Sequence, residues 1–227
     1  AKSFQNVSFQ LHKGEILGVG GLSDCGMHDV GKVLFGLLKP ETGEVLKDQK
    51  EPVKSASWAV RHGIGYVSKN RDQESLMLIS SIADNICLPS LKDLTPFGPI
   101  SDRKQKQLAE KWSERMEVKA DSVKVFCNTL SGGNKQKVVL AKWLGKGSDI
   151  MILDCPTRGI DVGTKAAIYQ LIMQMKEEGK SILLISEELQ ELIGMSDRIV
   201  LLRDGAVSGE FLRNEGLTEA KLIQKMI

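Results

Sequence analysis

Two short stretches of this chain carry residue types at spacings that could do chemistry. Ser131, Gly132 and Gly133 lie just before the apolar run Val138, Val139, Leu140, Trp143 and Leu144, so a hydroxyl and two unobstructed backbone N–H groups fall at a helix start. The first amides of a helix lack partners and its dipole favours negative charge, which makes this an anion-binding geometry. Further on, Ile150 to Leu153 form an apolar run that ends in Asp154. That is the pattern of a buried parallel strand delivering a carboxylate to its C-terminal edge, where such a group commonly holds Mg²⁺ for a nucleotide. Taken singly, each stretch has a plainer reading, a serine-capped helix and a core strand ending in a turn. Their order and spacing together are more specific.

The elements that must position such residues begin near the N-terminus. Ile16 to Val19 reads as a buried strand, Gly18 to Gly26 as a glycine-rich loop, and Val30, Val33, Leu34 and Leu37 recur at helical spacing until Gly36 and Pro40 interrupt the pattern. Strand, loop and helix make a phosphate-loop context, but the loop is defective. A phosphate loop needs Gly-x-x-x-x-Gly-Lys-Ser/Thr, with the lysine on the terminal phosphates and the hydroxyl on Mg²⁺. Counting from Gly21, the second glycine falls at Gly26, yet Met27 takes the lysine position and His28 the hydroxyl position. Losing one charged hydrogen-bonding partner costs about 1.5–3 kcal/mol, roughly ten- to a hundredfold in affinity. Asp24, within the loop, adds on the order of 3 kcal/mol of repulsion toward a phosphate about 5 Å away at an effective dielectric near 20. A dinucleotide fold competes through Gly18-x-Gly20, but that fingerprint fails at Ser23.

Leu130 to Gln136 resembles the signature motif of ATP-binding cassette proteins, with Asn134 and the following Lys-Gln-Lys-Val like the sugar-importer variant. Asp154 to Gly163 resembles that family's Walker B and D-loop segment and includes Gly159 and Asp161. The resemblance covers nearly the whole chain and is closest to the second, C-terminal cassette of tandem-cassette ATPases that drive ribose- and galactose-type importers. It implies an α/β fold, a P-loop NTPase-like parallel-sheet core with an N-terminal antiparallel β portion and a helical subdomain. The whole chain would be one nucleotide-binding domain, residues 1–71 and 144–227 forming the β portion and ATPase core and 72–143 the helical subdomain with the signature motif. By the same resemblance Gly21, Gly26, Met27, His28, Lys69 and Asp154 occupy nucleotide-binding positions, and Asp154 is the metal position. Ser131, Gly132, Gly133 and Gln136 would face a partner's nucleotide, and Gly159 and Asp161 would form the D-loop.

Several positions depart from that pattern. Lys69 and Asn70 stand where sugar-importer cassettes carry a glutamine or acidic residue. Cys155 follows the Walker B aspartate in place of the glutamate that polarises water, and a thiol titrating near about 8.5 is a poor substitute for a carboxylate. Losing general-base assistance costs about 10²–10⁴ in rate. Glu187 occupies the place of the switch histidine, where a carboxylate repels a γ-phosphate. Met27, Cys155 and Glu187 leave no catalytic position intact. The resemblance also implies that cassettes pair head to tail, each nucleotide held between one partner's phosphate loop and the other's signature motif, and the residues facing the partner's nucleotide are the ones retained here. ATP and Mg²⁺ are the expected cofactors, weakly held or absent at the chain's own site.

The rest of the chain fits this reading. Phe4 to Leu11 alternates like a half-exposed strand, Ile64 to Val67 and Ile182 to Ile185 read as strands, Asp72 to about Phe126 as a helical inset with a break at Thr95 to Pro99, Asp204-Gly205 as a hairpin turn, and Thr218 to Ile227 as a closing helix. A length of 227 residues with 41% apolar composition buries a substantial core. With 31 basic against 29 acidic residues there is no basic field for nucleic acid or an anionic membrane. The four cysteines, Cys25, Cys87, Cys127 and Cys155, include no Cys-x-x-Cys pair, which argues against a zinc site or disulfide framework and fits a reducing cytoplasm. No apolar run reaches the ~20 residues of a membrane span, and the chain opens at Ala1 without an initiator methionine, as expected of a segment cut from a longer polypeptide.

The expected function is a non-catalytic cassette of a sugar importer, coupling ATP binding and hydrolysis to carbohydrate uptake by supplying its signature motif in trans. Its expected partners are a companion cassette in the N-terminal half of the same polypeptide, membrane permease subunits and, indirectly, a sugar-binding protein, at the cytoplasmic side of the membrane. An autonomous ATPase, a nucleic-acid-linked cassette protein and a nucleotide-free structural cassette remain as alternatives. The sugar is not legible in the sequence.

Overall fold

The computed structural model describes residues 3–95, 100–213 and 216–227. In chain order the elements are β1 (Ile16–Gly21), α1 (Met27–Phe35), β2 (Leu46–Lys47), β3 (Glu51–Pro52), α2 (Ala56–Arg61), β4 (Ile64–Val67), α3 (Ile82–Cys87), α4 (Leu91–Leu94), α5 (Asp102–Arg115), α6 (Gly132–Gly145), β5 (Ile150–Asp154), α7 (Val162–Glu177), β6 (Ser181–Ile185), α8 (Leu189–Met195), β7 (Arg198–Arg203), β8 (Ala206–Leu212) and α9 (Glu219–Met226). They divide into two compact units. One comprises the chain through Tyr66, Asp149–Cys155 and Met173–Ile227; the other comprises Val67–Ser148 and Pro156–Ile172.

The first unit is built on a six-stranded sheet of order β4-β5-β6-β1-β7-β8. β1 pairs in parallel with β6 and β7, β5 pairs in parallel with β6, and β8 closes the edge antiparallel to β7. β1 and β6 are buried along their whole length, which is why their sequences read as unbroken apolar runs rather than alternations. The register places Asp154 opposite Ile185, so the loops after β1, β5 and β6 open at one C-terminal edge, the edge where α/β sheets bind ligands. Gly18 and Gly20 serve packing: a Cβ at Gly18 would lie 2.3 Å from Ser196 Oγ, and one at Gly20 2.5 Å from Leu192 Cδ1. These glycines admit α8 against the strand, which explains the partial dinucleotide fingerprint.

The expected strand at Phe4 to Leu11 does not form. The segment keeps its alternating burial, but two of its backbone groups are engaged outside any ladder: Gln5 N–H donates to Gly205 O at 2.6 Å, and the Arg198 guanidinium donates to the Gln10 carbonyl. The antiparallel portion in this part of the chain is the β2–β3 hairpin.

In the second unit α3, α5 and α6 pack on one another. Ser81 and Asp84 form a capping box at the start of α3, and α6 is buried on all sides over Val138, Val139, Leu140 and Ala141, none with exposed surface, so that it supplies much of the core. α4 ends at Leu94, where Thr95 Oγ1 donates to Leu91 O; the rest of the expected break, Pro96 to Pro99, lies outside the described residues. Among the described residues no helix is long and apolar enough to cross a membrane.

Candidate functional site

In the first unit the loop between β1 and α1 ends at Gly26, which has φ +87° and holds the α1 N-terminus. Its backbone takes the left-handed conformation that suits glycine. A Cβ there would also lie 2.1 Å from Ser3 O, so the chain's own N-terminal segment lies against the loop. Gly21 is equally confined, since a Cβ would meet Cys25 Sγ at 2.3 Å and Leu202 O at 2.5 Å. Met27 has no exposed surface. Its side chain is therefore core, and no cationic group reaches out from the position where a phosphate loop carries lysine.

His28, one residue on, faces the end of β5. Its Nδ1 lies 2.7 Å from Asp154 Oδ1, and its Nε2 lies 3.1 Å from Glu187 Oε1 in the segment after β6. Tyr66 OH donates to Asp154 Oδ2 at 3.2 Å. Both Asp154 oxygens are thus engaged by protein groups, and the residue is 1% exposed. A neutral imidazole donates to one of its two carboxylate neighbours and an imidazolium to both. Cys155 takes a left-handed φ of 47° while its N–H continues the sheet ladder to Ile185 O at 2.8 Å. Burial, followed by the neighbouring Asp154 charge, pushes its thiol up to about 12. The sequence reading allowed it an ordinary thiol; in the fold it is poorer still as a base.

Ser131, Gly132 and Gly133 lie in the second unit. Ser131 is the N-cap of α6, its side chain accepting from Asn134 N–H, and Asn134 Nδ2 also donates to Ser131 Oγ at 3.1 Å. Asn134 Oδ1 in turn accepts from Lys119 N–H at 2.9 Å, so Asn134 braces the cap. Ser131 itself is exposed and Gly133 and Gln136 are buried. A Cβ at Gly133 would lie 2.3 Å from Thr164 Cγ2, and one at Gly132 would lie 3.1 Å from Gly159 O. Gly133 is thereby needed for packing inside this unit, whatever it does for a ligand, while at Gly132 a side chain would be only tightly accommodated. Asp161 accepts from Thr164 N–H at 2.9 Å and Thr164 Oγ1 at 2.7 Å at the start of α7. The Thr164 hydroxyl, first, holds its carboxyl below the usual range.

Lys69 and Asn70 lie just before a π-helical turn, Arg71–Ser75. Together with Arg71, Asp72, Gln73 and Arg158 they line one cleft. Arg71 Nη1 donates to Gly132 O at 3.0 Å, and Lys135 Nζ donates to Asp72 Oδ2 at 2.7 Å. Partial burial raises the Asp72 carboxyl, but the Lys135 and Arg71 contacts outweigh it and hold the group low. This turn is therefore tied to α6 near its N-terminus. Tyr66, Arg71 and Thr164 were not legible as site residues; each acts through a partner distant in sequence.

The sequence model of the family described as "ABC transporter" matches residues 4–158. A curated relative from Bacillus licheniformis named ribose import ATP-binding protein RbsA is 41% identical over 217 residues, covering 95% of this chain and 44% of that protein. The protein of the same name from Lacticaseibacillus paracasei is 44% identical over 208 residues, covering 91% and 41%. The chain thus spans under half the length of these relatives. Among solved structures, the dimeric post-hydrolysis state of the ATP-binding cassette MJ0796 bound to ADP and Pi superposes with a TM-score of 0.81 at 24% identity, covering 93% of this chain and 91% of that one. The ADP conformation of MJ1267, an ATP-binding cassette of an ABC transporter, gives 0.81 at 18% identity over 98% and 91%. Matched by the family model over residues 4–158 and by relatives 41% and 44% identical over 95% and 91% of its length, the chain belongs to the ABC transporter family.

Proposed function

We propose that this chain is the second, C-terminal cassette of a tandem-cassette ATPase that drives a ribose- or galactose-type sugar importer, and that it serves hydrolysis without performing it. On this reading the phosphate loop from Gly21 to His28 does not hold Mg²⁺·ATP for turnover, and the α6 N-terminus at Ser131, Gly132 and Gly133 completes the competent site of the companion cassette, with Gln136, Gly159 and Asp161 supporting that face. The segment 72–143 works as the helical subdomain of a single nucleotide-binding domain. ATP and Mg²⁺ act at the companion's phosphate loop.

The observation that carries the reading is the engagement of Asp154 by His28 and Tyr66. A carboxylate whose two oxygens face an imidazole nitrogen and a tyrosine hydroxyl, beside a buried methionine in place of lysine, lacks the near-ideal octahedral shell of oxygen ligands that Mg²⁺ demands. The relatives' names support sugar import, and the match covers 44% of one of them and 41% of another, which leaves room in those proteins for a second cassette. The partners are then the companion cassette, membrane permease subunits and, through them, a sugar-binding protein, with the cassette peripheral on the cytoplasmic side of the membrane.

A nucleotide-free structural cassette is favoured by a different observation: the Ser131 cap and the Gly133–Thr164 contact account for two signature residues through internal packing alone. The two readings separate in the complete transporter. Asp and Asn both cap helices well and differ in charge, so Ser131→Asp abolishes transport by repelling the partner's phosphate while Ser131→Asn keeps much of it. Equal activity of both variants at matched expression would favour the structural cassette.

A further inference from the structure

We propose that His28, Asp154 and Cys155 form a binding site for a borderline transition-metal cation of the Zn²⁺ class. The three residues come from the first turn of α1, the last position of β5 and the residue after it, and one ligand atom from each lies within 4.8 Å of the others. All three are buried. An imidazole nitrogen, a carboxylate oxygen and a thiolate are the donors Zn²⁺ takes, at about 2.0–2.3 Å, and three protein ligands leave a fourth position for water. Reaching the spacing of tetrahedral ligands asks the side chains to move by on the order of 1 Å, the His28 Nδ1–Asp154 Oδ1 contact opening from 2.7 Å and the wider separations closing.

The surroundings fit a metal histidine. A ligating imidazole characteristically gives its other ring N–H to a carboxylate, which fixes the tautomer and ring orientation. Here Nδ1 faces Asp154 at 2.7 Å while Nε2 faces Glu187 Oε1 at 3.1 Å. Asp154 is braced in the same way, with Tyr66 OH on Oδ2 and Oδ1 turned to the imidazole. On binding, Nδ1 presents its lone pair, the ring proton resides on Nε2 toward Glu187, and the Cys155 thiol proton leaves to solvent as the metal–sulfur bond forms. The donor set selects against Mg²⁺, a hard cation held by oxygen ligands and water. Cysteine spacing gave no sign of this site because the ligands are brought together by the sheet. It does not depend on the trans role of Ser131.

Co²⁺, added to the 227-residue chain, is the probe. One equivalent is expected to bind with thiolate-to-metal charge-transfer absorption and the visible bands of a four-coordinate ion, unaffected by a large excess of Mg²⁺. Cys155→Ser should lose the charge-transfer band, His28→Asn should lose most of the uptake, and Glu187→Gln should weaken binding by about 10- to 100-fold. Cys127→Ser, a buried thiol elsewhere, should bind as the parent does. Absence of stoichiometric uptake, displacement by Mg²⁺, or an unchanged spectrum in Cys155→Ser would overturn the proposal. Should Cys155→Ser fail to fold, X-ray absorption at the cobalt edge of the parent protein decides: one sulfur among nitrogen and oxygen donors supports the site, and a shell without sulfur contradicts it.

Discussion

His28 Nδ1 lies 2.7 Å from Asp154 Oδ1, joining the first turn of the helix after the glycine-rich loop to the carboxylate that ends the neighbouring strand. In a phosphate loop the space between two such elements admits a cation and the terminal phosphates. Here an imidazole spans it, with Glu187 on its far side.

The isolated chain is therefore expected to release no phosphate from ATP above background in the presence of Mg²⁺. Steady-state phosphate release measures this, and turnover that disappears in Asp154→Ala would show that the loop works after all.

Restoring a carboxylate at the base position should not rescue activity. Position 155 is only 9% exposed, and a glutamate placed there meets the Asp154 charge that already helps burial to raise the Cys155 thiol. Burial and a like charge both favour the protonated form, which is no base. Cys155→Glu is expected to match the parent in phosphate release, and a single-change rescue would contradict this account of the site.

Gly133 makes a packing prediction that owes nothing to nucleotide. Alanine is favoured over glycine in a helix by about 1 kcal/mol, yet a Cβ 2.3 Å from Thr164 Cγ2 forces overpacking of about 1–3 kcal/mol. Gly133→Ala should lower the denaturant midpoint, and Thr164→Ser, which removes that methyl, should restore it in the double variant. Absence of coupling between the two changes would show that the contact is not tight.

Lys142, on the buried face of α6, donates to Ser75 O at 2.6 Å, and burial lowers its titration from 10.5 to about 8. Below pH 8 both folded and unfolded states hold the proton and the cost of burying the charge is present in full. Between pH 8 and 10.5 the folded state sheds the proton while the unfolded state keeps it, so stability rises. Relative to Lys142→Met, the parent should gain about 2–3 kcal/mol between pH 7 and 10. The thiols of Cys87, Cys127 and Cys155, raised by burial to about 11, 11 and 12, act in the opposite direction in both proteins and largely cancel. A difference that does not change with pH would contradict the placement of Lys142.

Much of this architecture was legible because it is written in local patterns. The runs Ile150 to Leu153 and Ile182 to Ile185 declare buried parallel strands, Gly26 and Gly36 bracket a helix, and Ser131 announces a cap. What escaped depends on distant partners. Phe4 to Leu11 has the alternation of a strand, but the guanidinium of Arg198 and the hairpin turn at Gly205 take two of its backbone groups. Gly133 reads from sequence as an open N–H, whereas its lack of a side chain is also demanded by Thr164. His28 reads as a missing hydroxyl; that it engages Asp154 and Glu187 follows only from the register that brings β5 and β6 together.

Whether this chain's phosphate loop stands idle while Ser131, Gly132 and Gly133 serve a companion is decided by locating hydrolysed nucleotide in the complete transporter. Orthovanadate traps ADP where hydrolysis has occurred by occupying the place of the transferred phosphoryl group, and a photoreactive ATP analogue then marks the peptides around it. Trapped nucleotide is expected at the companion's phosphate loop, with label on this chain confined to the neighbourhood of Ser131. Label on residues 21–28, at a yield matching the companion's, would contradict it.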